Sequence, residues 1–323
     1  MIAPEMITNN IWLIGAGGMA IEYTRVLKAF GCQFVTIGKG KDGCENYFRE
    51  TGVKPIDGGL KKYLDTKPLI PDAAIVAVGI ESLSDATTTL LEYNVKYILV
   101  EKPGIGHPGE IVDLSRLARE KEATVVLAYN RRFYSSVQKA RELITEDGGI
   151  SSFQFEFTEW SHKIKELKKH PTELHNWFLG NSTHVIDTAF YLGGMPVELC
   201  AFTKGGLDWH PSSSIFSGAG ITDKGALFSY SANWQAPGRW VIEMLTKKRR
   251  LIFRPLEKLQ VQELGSVVLN DIALNDKLDV DFKPGLYMQT KAFLGQDQRN
   301  FRNIFEQEKF VKSVYLKMAN YIL

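Results

Sequence analysis

The segment Ile11-Trp12-Leu13-Ile14, followed by Gly15-Ala16-Gly17-Gly18-Met19-Ala20, constrains this chain more than any other stretch. Four consecutive apolar residues read as a strand buried on both faces. The glycines turn the chain, and Met19–Phe30 then reads as a helix closed by Gly31. A strand, a Gly-x-Gly-x-x-Ala turn and a helix make the opening of a βαβ unit, which commits the N-terminal half to a parallel sheet. Gly15 allows the tight turn. Gly17 lets the backbone approach a pyrophosphate, whose charge a helix N-terminus stabilises. Ala20 is small enough for close helix–strand packing. Gly15, Gly17, Gly18, Met19 and Ala20 are therefore candidate contacts of a dinucleotide cofactor. A tight βα turn with no ligand is the alternative reading.

The alternation continues. Gln33–Ile37, Ala73–Val78, Tyr97–Val100 and Thr124–Ala128 read as strands, with helices over Ser82–Tyr93 and Pro108–Lys121. This is the pattern of an α/β doubly wound parallel sheet, a Rossmann domain covering residues 1–130. The rhythm changes after Arg131. A helix over Tyr134–Thr145 is broken at Asp147-Gly148-Gly149. Ile150–Trp160 then alternates Phe153, Phe155 and Phe157 with Ser152, Gln154, Glu156 and Thr158, the period of a half-buried strand. Further strands read over Val197–Lys204, Ala226–Trp234, Trp240–Thr246, Arg250–Arg254, Leu259–Leu264 and Ser266–Leu269. Helices near Gly285–Leu294 and Asn300–Tyr321 close the chain. Residues 131–323 form a C-terminal α+β domain with a large mixed or antiparallel sheet, although the last helices could pack back across the boundary. The aromatic-rich late strands suggest that its open face joins copies of the chain into a homodimer or homotetramer.

Composition removes several function classes. The net charge of +2 gives no electrostatic case for nucleic acid or an anionic membrane. No apolar run reaches transmembrane length, and the first ten residues carry no signal-peptide pattern. Cys32, Cys44 and Cys200 are isolated, which reads as free thiols in a reducing cytoplasm. The histidines show no metal-ligand spacing, so no metal is expected, and the chain lacks the Gly-x-Ser-x-Gly of serine hydrolases.

About 80 residues after the glycine turn, Glu101-Lys102-Pro103 follows the apolar run Tyr97–Val100. That places a lysine at the carboxyl end of a buried strand, where open α/β sheets bind ligands. Pro103 marks an unusual turn, for which a cis peptide is one solution. The glycine fingerprint and the Glu-Lys-Pro triplet together resemble the family of glucose–fructose oxidoreductase, inositol dehydrogenase and rhizopine-catabolism oxidoreductases (Gfo/Idh/MocA). The resemblance implies an NAD(P)-dependent oxidoreductase interconverting a secondary alcohol and a ketone on a sugar or nucleotide-sugar by hydride transfer. It places Lys102 beside the nicotinamide and the reacting oxygen, with Glu101 at the cofactor.

The same family carries a histidine in the first turn of a later helix and an aspartate three residues on. Here these are His184 and Asp187, within Gly180-Asn181-Ser182-Thr183-His184-Val185-Ile186-Asp187. The resemblance makes His184 the second catalytic candidate, with Asn181 and Asp187 as substrate contacts. A core histidine and a structural aspartate are the plainer readings. Many relatives have an aspartate four residues before the histidine, whereas this chain has Gly180, so the proton relay is built differently. Asn130, in Tyr129-Asn130-Arg131-Arg132-Phe133, matches a stretch that contacts cofactor or substrate, and one of its arginines is expected to be structural.

The second strand ends in Gly38-Lys39-Gly40-Lys41, with no acid before Asp42. An acid there would hold the ribose of NAD, whereas a cation suits the 2′-phosphate of NADP. Gly38 and Lys39 are thus cofactor candidates and NADP is favoured over NAD, unless Lys39 is simply solvated. The tryptophans at 160, 177, 209, 234 and 240 could stack on a sugar or fill a core. The basic run 162–170 and Arg239 are candidate anion contacts or solvated charges. The rival function is a non-catalytic dinucleotide-binding sensor of the same fold. Retention of both Lys102 and His184 favours an enzyme.

Overall fold

A computed structural model describes residues 6–322. They form two units. One comprises the described residues up to Asn130 together with Leu278–Lys309, and the other Arg131–Lys277 together with 310–322.

The first unit is built on strands β1 (Ile11–Ile14), β2 (Phe34–Ile37), β3 (Ala73–Val76), β4 (Tyr97–Val100) and β5 (Thr124–Leu127). They lie in the order β2-β1-β3-β4-β5, all parallel, and Arg302–Asn303 pairs antiparallel on the outer edge of β5. Beyond β2, Ile56 makes a single parallel bridge to Ile37. The third strand of the usual doubly wound order has therefore shrunk to one bridge, and the order reverses between β1 and β3. Helices α1 (Gly18–Ala29), α2 (Lys41–Thr51), α3 (Gly59–Leu64), α4 (Leu83–Glu92) and α5 (Glu110–Glu120) follow the strands. The sequence reading missed α2 and α3. Helix α2 is mostly polar and buries only Cys44 and Tyr47, whose hydroxyl meets Thr24 and Thr36, the latter at 2.8 Å.

The domain division at 131–323 needs one correction. Leu278–Lys309 returns to the first unit because its apolar face has a partner there. Phe293 stacks on Tyr97 with ring centroids 4.5 Å apart, Tyr287 lies 4.6 Å from Phe30, and Leu286, Phe293 and Leu294 are fully buried.

The second unit begins with α6 (Ser135–Glu146) and carries eight strands. They are β6 (Ser152–Glu156), β7 (Pro196–Lys204), β8 (Ile215–Thr222), β9 (Leu227–Asn233), β10 (Val241–Leu245), β11 (Arg249–Phe253), β12 (Gln260–Glu263) and β13 (Asn270–Asp271). Their order is β13-β12-β11-β10-β6-β9-β8-β7, antiparallel except for the parallel pair β6–β9. The expected strand over Ser266–Leu269 is a loop leading to β13. Strand β8 went unread because Gly218 and Gly220 interrupt its pattern. The neighbouring strand and two aromatic rings need that room: a Cβ on Gly220 would sit 2.0 Å from the Glu198 carbonyl oxygen and 2.6 Å from Phe228, and one on Gly218 2.4 Å from the Cys200 carbonyl oxygen and from Tyr230 Oη.

Phe153, Phe155 and Phe157 face inward as expected. The helix Thr183–Gly193 lies against that face, and Phe190 meets Phe153, Phe155 and Phe228 edge-on at 5.8, 5.5 and 5.0 Å. Truncating one such ring to alanine typically costs about 3–5 kcal/mol. The aromatics expected to mark the open face are thus packed beneath the helix. The opposite face carries Gln154, Ser217, Ser229 and Ser231, with Phe202 and Leu227 as its exposed apolar residues, 70% and 58% accessible.

Candidate active site

In the first unit the glycine turn sits where the strand order reverses. Gly15 has φ +117°, and a Cβ there would lie 2.2 Å from the Ala77 carbonyl oxygen that follows β3. No other residue fits. Gly17 and Gly18 are exposed, and a Cβ on either would meet nothing within 4 Å. Among the described residues no side chain caps α1, which leaves its first amides to a ligand or to water. Met19 is half-buried and Ala20 fully buried. The cradle fits a pyrophosphate: room beside bare backbone, at the positive end of a twelve-residue helix.

Gly38 closes the neighbouring turn. Its N–H donates to Ile56 C=O at 2.9 Å, and a Cβ there would strike Cys44 Sγ at 2.3 Å. Lys39 is exposed, its stem running beside Gly59. The nearest acid in sequence, Asp42, belongs to the first turn of α2.

Glu101-Lys102-Pro103-Gly104 forms a tight turn at the end of β4. The Lys102–Pro103 peptide is cis, and Gly104 N–H donates to Glu101 C=O at 2.9 Å. Gln307, fully buried, donates to the Pro103 carbonyl and to Tyr129 Oη, each at 3.0 Å. The half-buried Lys102 thus stands on a turn fixed from both sides. Glu101 accepts a hydrogen bond from Tyr23 Oη at 2.9 Å, and that hydroxyl also lies 3.2 Å from the Gln289 side-chain amide. Burial raises the Glu101 pKa, against the pull of Lys102, Tyr23 and Lys283. Burial, and then the Glu101 charge, raise that of Tyr23. The sequence reading singled out neither Tyr23 nor Gln289. Asn130 is buried and its amide donates to the Pro284 carbonyl at 2.9 Å.

In the second unit the π-helical turn Phe178–Ser182 runs directly into the helix Thr183–Gly193. Such turns are frequent at functional sites. His184, in the first helical turn, is 8% exposed, with its ring 6.2 Å from that of Trp240. Asp187 is buried, and its two oxygens accept from Arg132 Nε and Nη2, each at 2.7 Å. Arg132 is therefore the structural arginine.

Its neighbour Arg131 lies over the ring of Trp240 at 4.8 Å and that of Tyr134 at 5.7 Å, and burial lowers its pKa. Arg239 lies over Trp240 at 4.7 Å and the exposed Trp160 at 4.9 Å. The other tryptophans are structural: Trp177 and Trp234 are buried, and Trp209 stacks on Trp234 at 5.8 Å. Within the basic run, Lys169 pairs with Glu173 at 2.9 Å.

The sequence reading missed Glu159. The alternation of Phe153, Phe155 and Phe157 does not mark it, because β6 ends at Glu156 and Thr158 is buried as well. Glu159 is 1% exposed, accepts from Ser182 Oγ at 2.8 Å, and receives Asn181 Nδ2 at 3.0 Å on each oxygen. Burial pushes its pKa up to about 7, opposed by the Ser182 bond, Arg239 and Asn181. Among the described residues no group of three or more His, Cys, Asp or Glu could hold a metal ion, and no helix is long and apolar enough to cross a membrane.

This architecture is shared with known dehydrogenases. A levoglucosan dehydrogenase, solved with NADH and levoglucosan, superposes with a TM-score of 0.78 at 17% identity, covering 97% of this chain and 98% of that one. A UDP-N-acetylglucosamine 3-dehydrogenase from Acidithiobacillus ferrooxidans gives 0.73 at 13%, covering 96% and 97%. A biliverdin reductase from Synechocystis, solved with biliverdin and NADP+, gives 0.72 at 14%, covering 97% and 99%. These similarities establish the fold. In sequence, the chain is 26% identical over 202 residues to YceM of Salmonella typhimurium, a protein provisionally named an oxidoreductase. The match spans 61% of this chain and 61% of that protein. No family model matches the chain.

Proposed function

We propose that the protein is a nicotinamide-dinucleotide-dependent oxidoreductase of the Gfo/Idh/MocA type, interconverting a secondary alcohol and a ketone on a sugar or nucleotide-linked sugar. The observation that carries this reading is Lys102. It stands on a braced turn at the carboxyl end of β4, in the same sheet whose reversal point holds the open glycine cradle. A dinucleotide-binding sensor has no need of a lysine on so firmly braced a turn. The sugar enzymes that share the fold support the substrate class.

In this reading Gly15, Gly17, Gly18, Met19 and Ala20 hold the pyrophosphate through backbone amides. Gly38 and Lys39 receive the adenosine end, where the missing acid and the available cation favour NADP. When bound, the nicotinamide accepts or delivers the hydride. Lys102 binds the reacting oxygen and moves its proton, with Glu101 beside it. His184 accepts or orients the hydroxyl proton, Asn181 contributes to substrate binding, and Asp187 holds the helix start through Arg132. Asn130 borders the cofactor end of its unit. We place the protein in the cytoplasm, as a homo-oligomer joined through the open face of the second-unit sheet.

The test is a spectrophotometric screen for reduced nicotinamide, with NAD and NADP, against free and nucleotide-linked sugars. Turnover that disappears in Lys102→Ala is expected. Dinucleotide binding without turnover on any sugar or diol would favour the sensor.

A further inference from the structure

The helix that presents His184 has no carboxylate one turn upstream, because Gly180 stands there. Glu159 brings one from elsewhere in the chain. Its donors, Asn181 and Ser182, both belong to the π-helical turn that leads into His184. An ionised carboxylate only accepts hydrogen bonds, and here it meets donors on both oxygens. Adding a proton turns one oxygen into a donor facing the Asn181 amide, so a bond is lost and the turn is less firmly held.

We propose that Glu159 is a positioning residue for the reaction assigned above: its carboxylate, acting through Asn181 and Ser182, fixes the turn that sets His184. The proposal rests on the functional reading of this unit. Arg239 faces Glu159 at 3.8 Å from the segment before β10. The Arg131 charge faces it from the turn after β5, and Trp177 from the segment before the π-helical turn. Both arginines favour the ionised form and burial opposes it. The balance leaves Glu159 titrating near neutrality, so its hold on the turn strengthens as pH rises through about 7.

Glu159→Gln keeps the shape and removes the titration. Trp160 and Trp240 flank Arg239, so intrinsic fluorescence followed from about pH 5 to about pH 9 reports the Glu159 charge without any substrate. A step near pH 7 in the wild type, absent from Glu159→Gln, is expected. In turnover, Glu159→Gln lowers kcat by roughly 10²-fold with KM little changed, the scale of a misplaced group. Glu159→Asp regains a pH-dependent limb. Wild-type kcat in a folded Glu159→Gln overturns the proposal, whether or not the fluorescence step is lost. If Glu159→Gln fails to fold, Ser182→Ala decides, since it removes one of the bonds through which the carboxylate acts: a fall in kcat with KM little changed supports the proposal, and wild-type kcat overturns it. Absence of dinucleotide binding would instead overturn the functional reading, leaving the titration intact.

Discussion

Arg132 and Asp187 form a buried bidentate ion pair, with Nε–Oδ2 and Nη2–Oδ1 distances of 2.7 Å. The pair joins the turn after β5 to the helix that carries His184, both within the second unit. Removing one partner of such a pair leaves an uncompensated charge and typically costs about 3–5 kcal/mol. Asp187→Ala should therefore lower the unfolding free energy measured in urea by an amount on that scale, while dinucleotide titration of the first unit remains near wild type. Loss of turnover without loss of stability would instead place Asp187 on the substrate.

Lys102→Ala tests the acid–base assignment. General acid–base groups contribute roughly 10²–10⁴-fold in rate, so turnover should fall within that range. The turn itself is held by Gln307 on the Pro103 carbonyl, so stability and dinucleotide affinity should change little. A variant that keeps half of the wild-type rate would show that the role is wrong. His184→Asn should lower the rate with a modest change in KM, and an unchanged pH–rate profile would return His184 to the core.

Local residue patterns made much of this legible. The Gly15–Ala20 turn, the apolar runs of β3 and β4 and the Phe153-Phe155-Phe157 alternation are short-range signals, and each lies where its pattern implies. What was hidden depends on partners distant in sequence. Helix α2 is almost uniformly polar, and its one buried tyrosine makes sense only beside Thr24 and Thr36. The glycines of β8 look like breakers until the β7 carbonyls of Glu198 and Cys200, with Phe228 and Tyr230, are seen to fill the space. The return of Leu278–Lys309 to the first unit rests on Phe293 meeting Tyr97, 196 residues away. Glu159 lies past the end of β6, where the alternation has stopped, and its role required Asn181 and Ser182 in three dimensions.

Cofactor preference turns on Lys39. Titrated by fluorescence, NADPH should bind more tightly than NADH. Lys39→Glu should weaken NADPH by about tenfold or more, equivalent to about 1.4 kcal/mol, with NADH affected less. Tenfold tighter NADH in the wild type would reject the preference.

The open face of the second-unit sheet should bury Phe202 and Leu227 against another copy of the chain. Sedimentation at micromolar concentration should show a species at a multiple of 36.4 kDa. Phe202→Asp should shift it toward the monomer, because a charge placed in a desolvated contact is costly. A wild-type monomer would mean that these side chains remain at the solvent surface.

Two buried groups should give opposite pH dependences of stability. Burial lowers the His210 pKa to about 4 from 6.5, with Nδ1 donating to Ser213 C=O at 2.7 Å and Tyr321 Oη 2.6 Å from Nε2. The native state resists that proton, so the His210 contribution is complete above about pH 6.5 and is lost as pH falls toward 4. Glu159 behaves in the reverse sense. Its pKa rises from 4.5 to about 7, so the native state holds the proton more tightly than the unfolded chain does. Its net contribution to global stability is complete below about pH 4.5 and is lost as pH rises toward 7, because the cost of burying the charge outweighs the bonds that the ionised form makes to Asn181 and Ser182. In the wild type the two trends offset each other across much of the same window. Melting curves from pH 5 to 8 should separate them. Glu159→Gln should gain stability relative to wild type as pH rises, and His210→Gln should gain relative to wild type as pH falls. Parallel curves for wild type and Glu159→Gln would mean that the Glu159 carboxylate is ionised throughout this range.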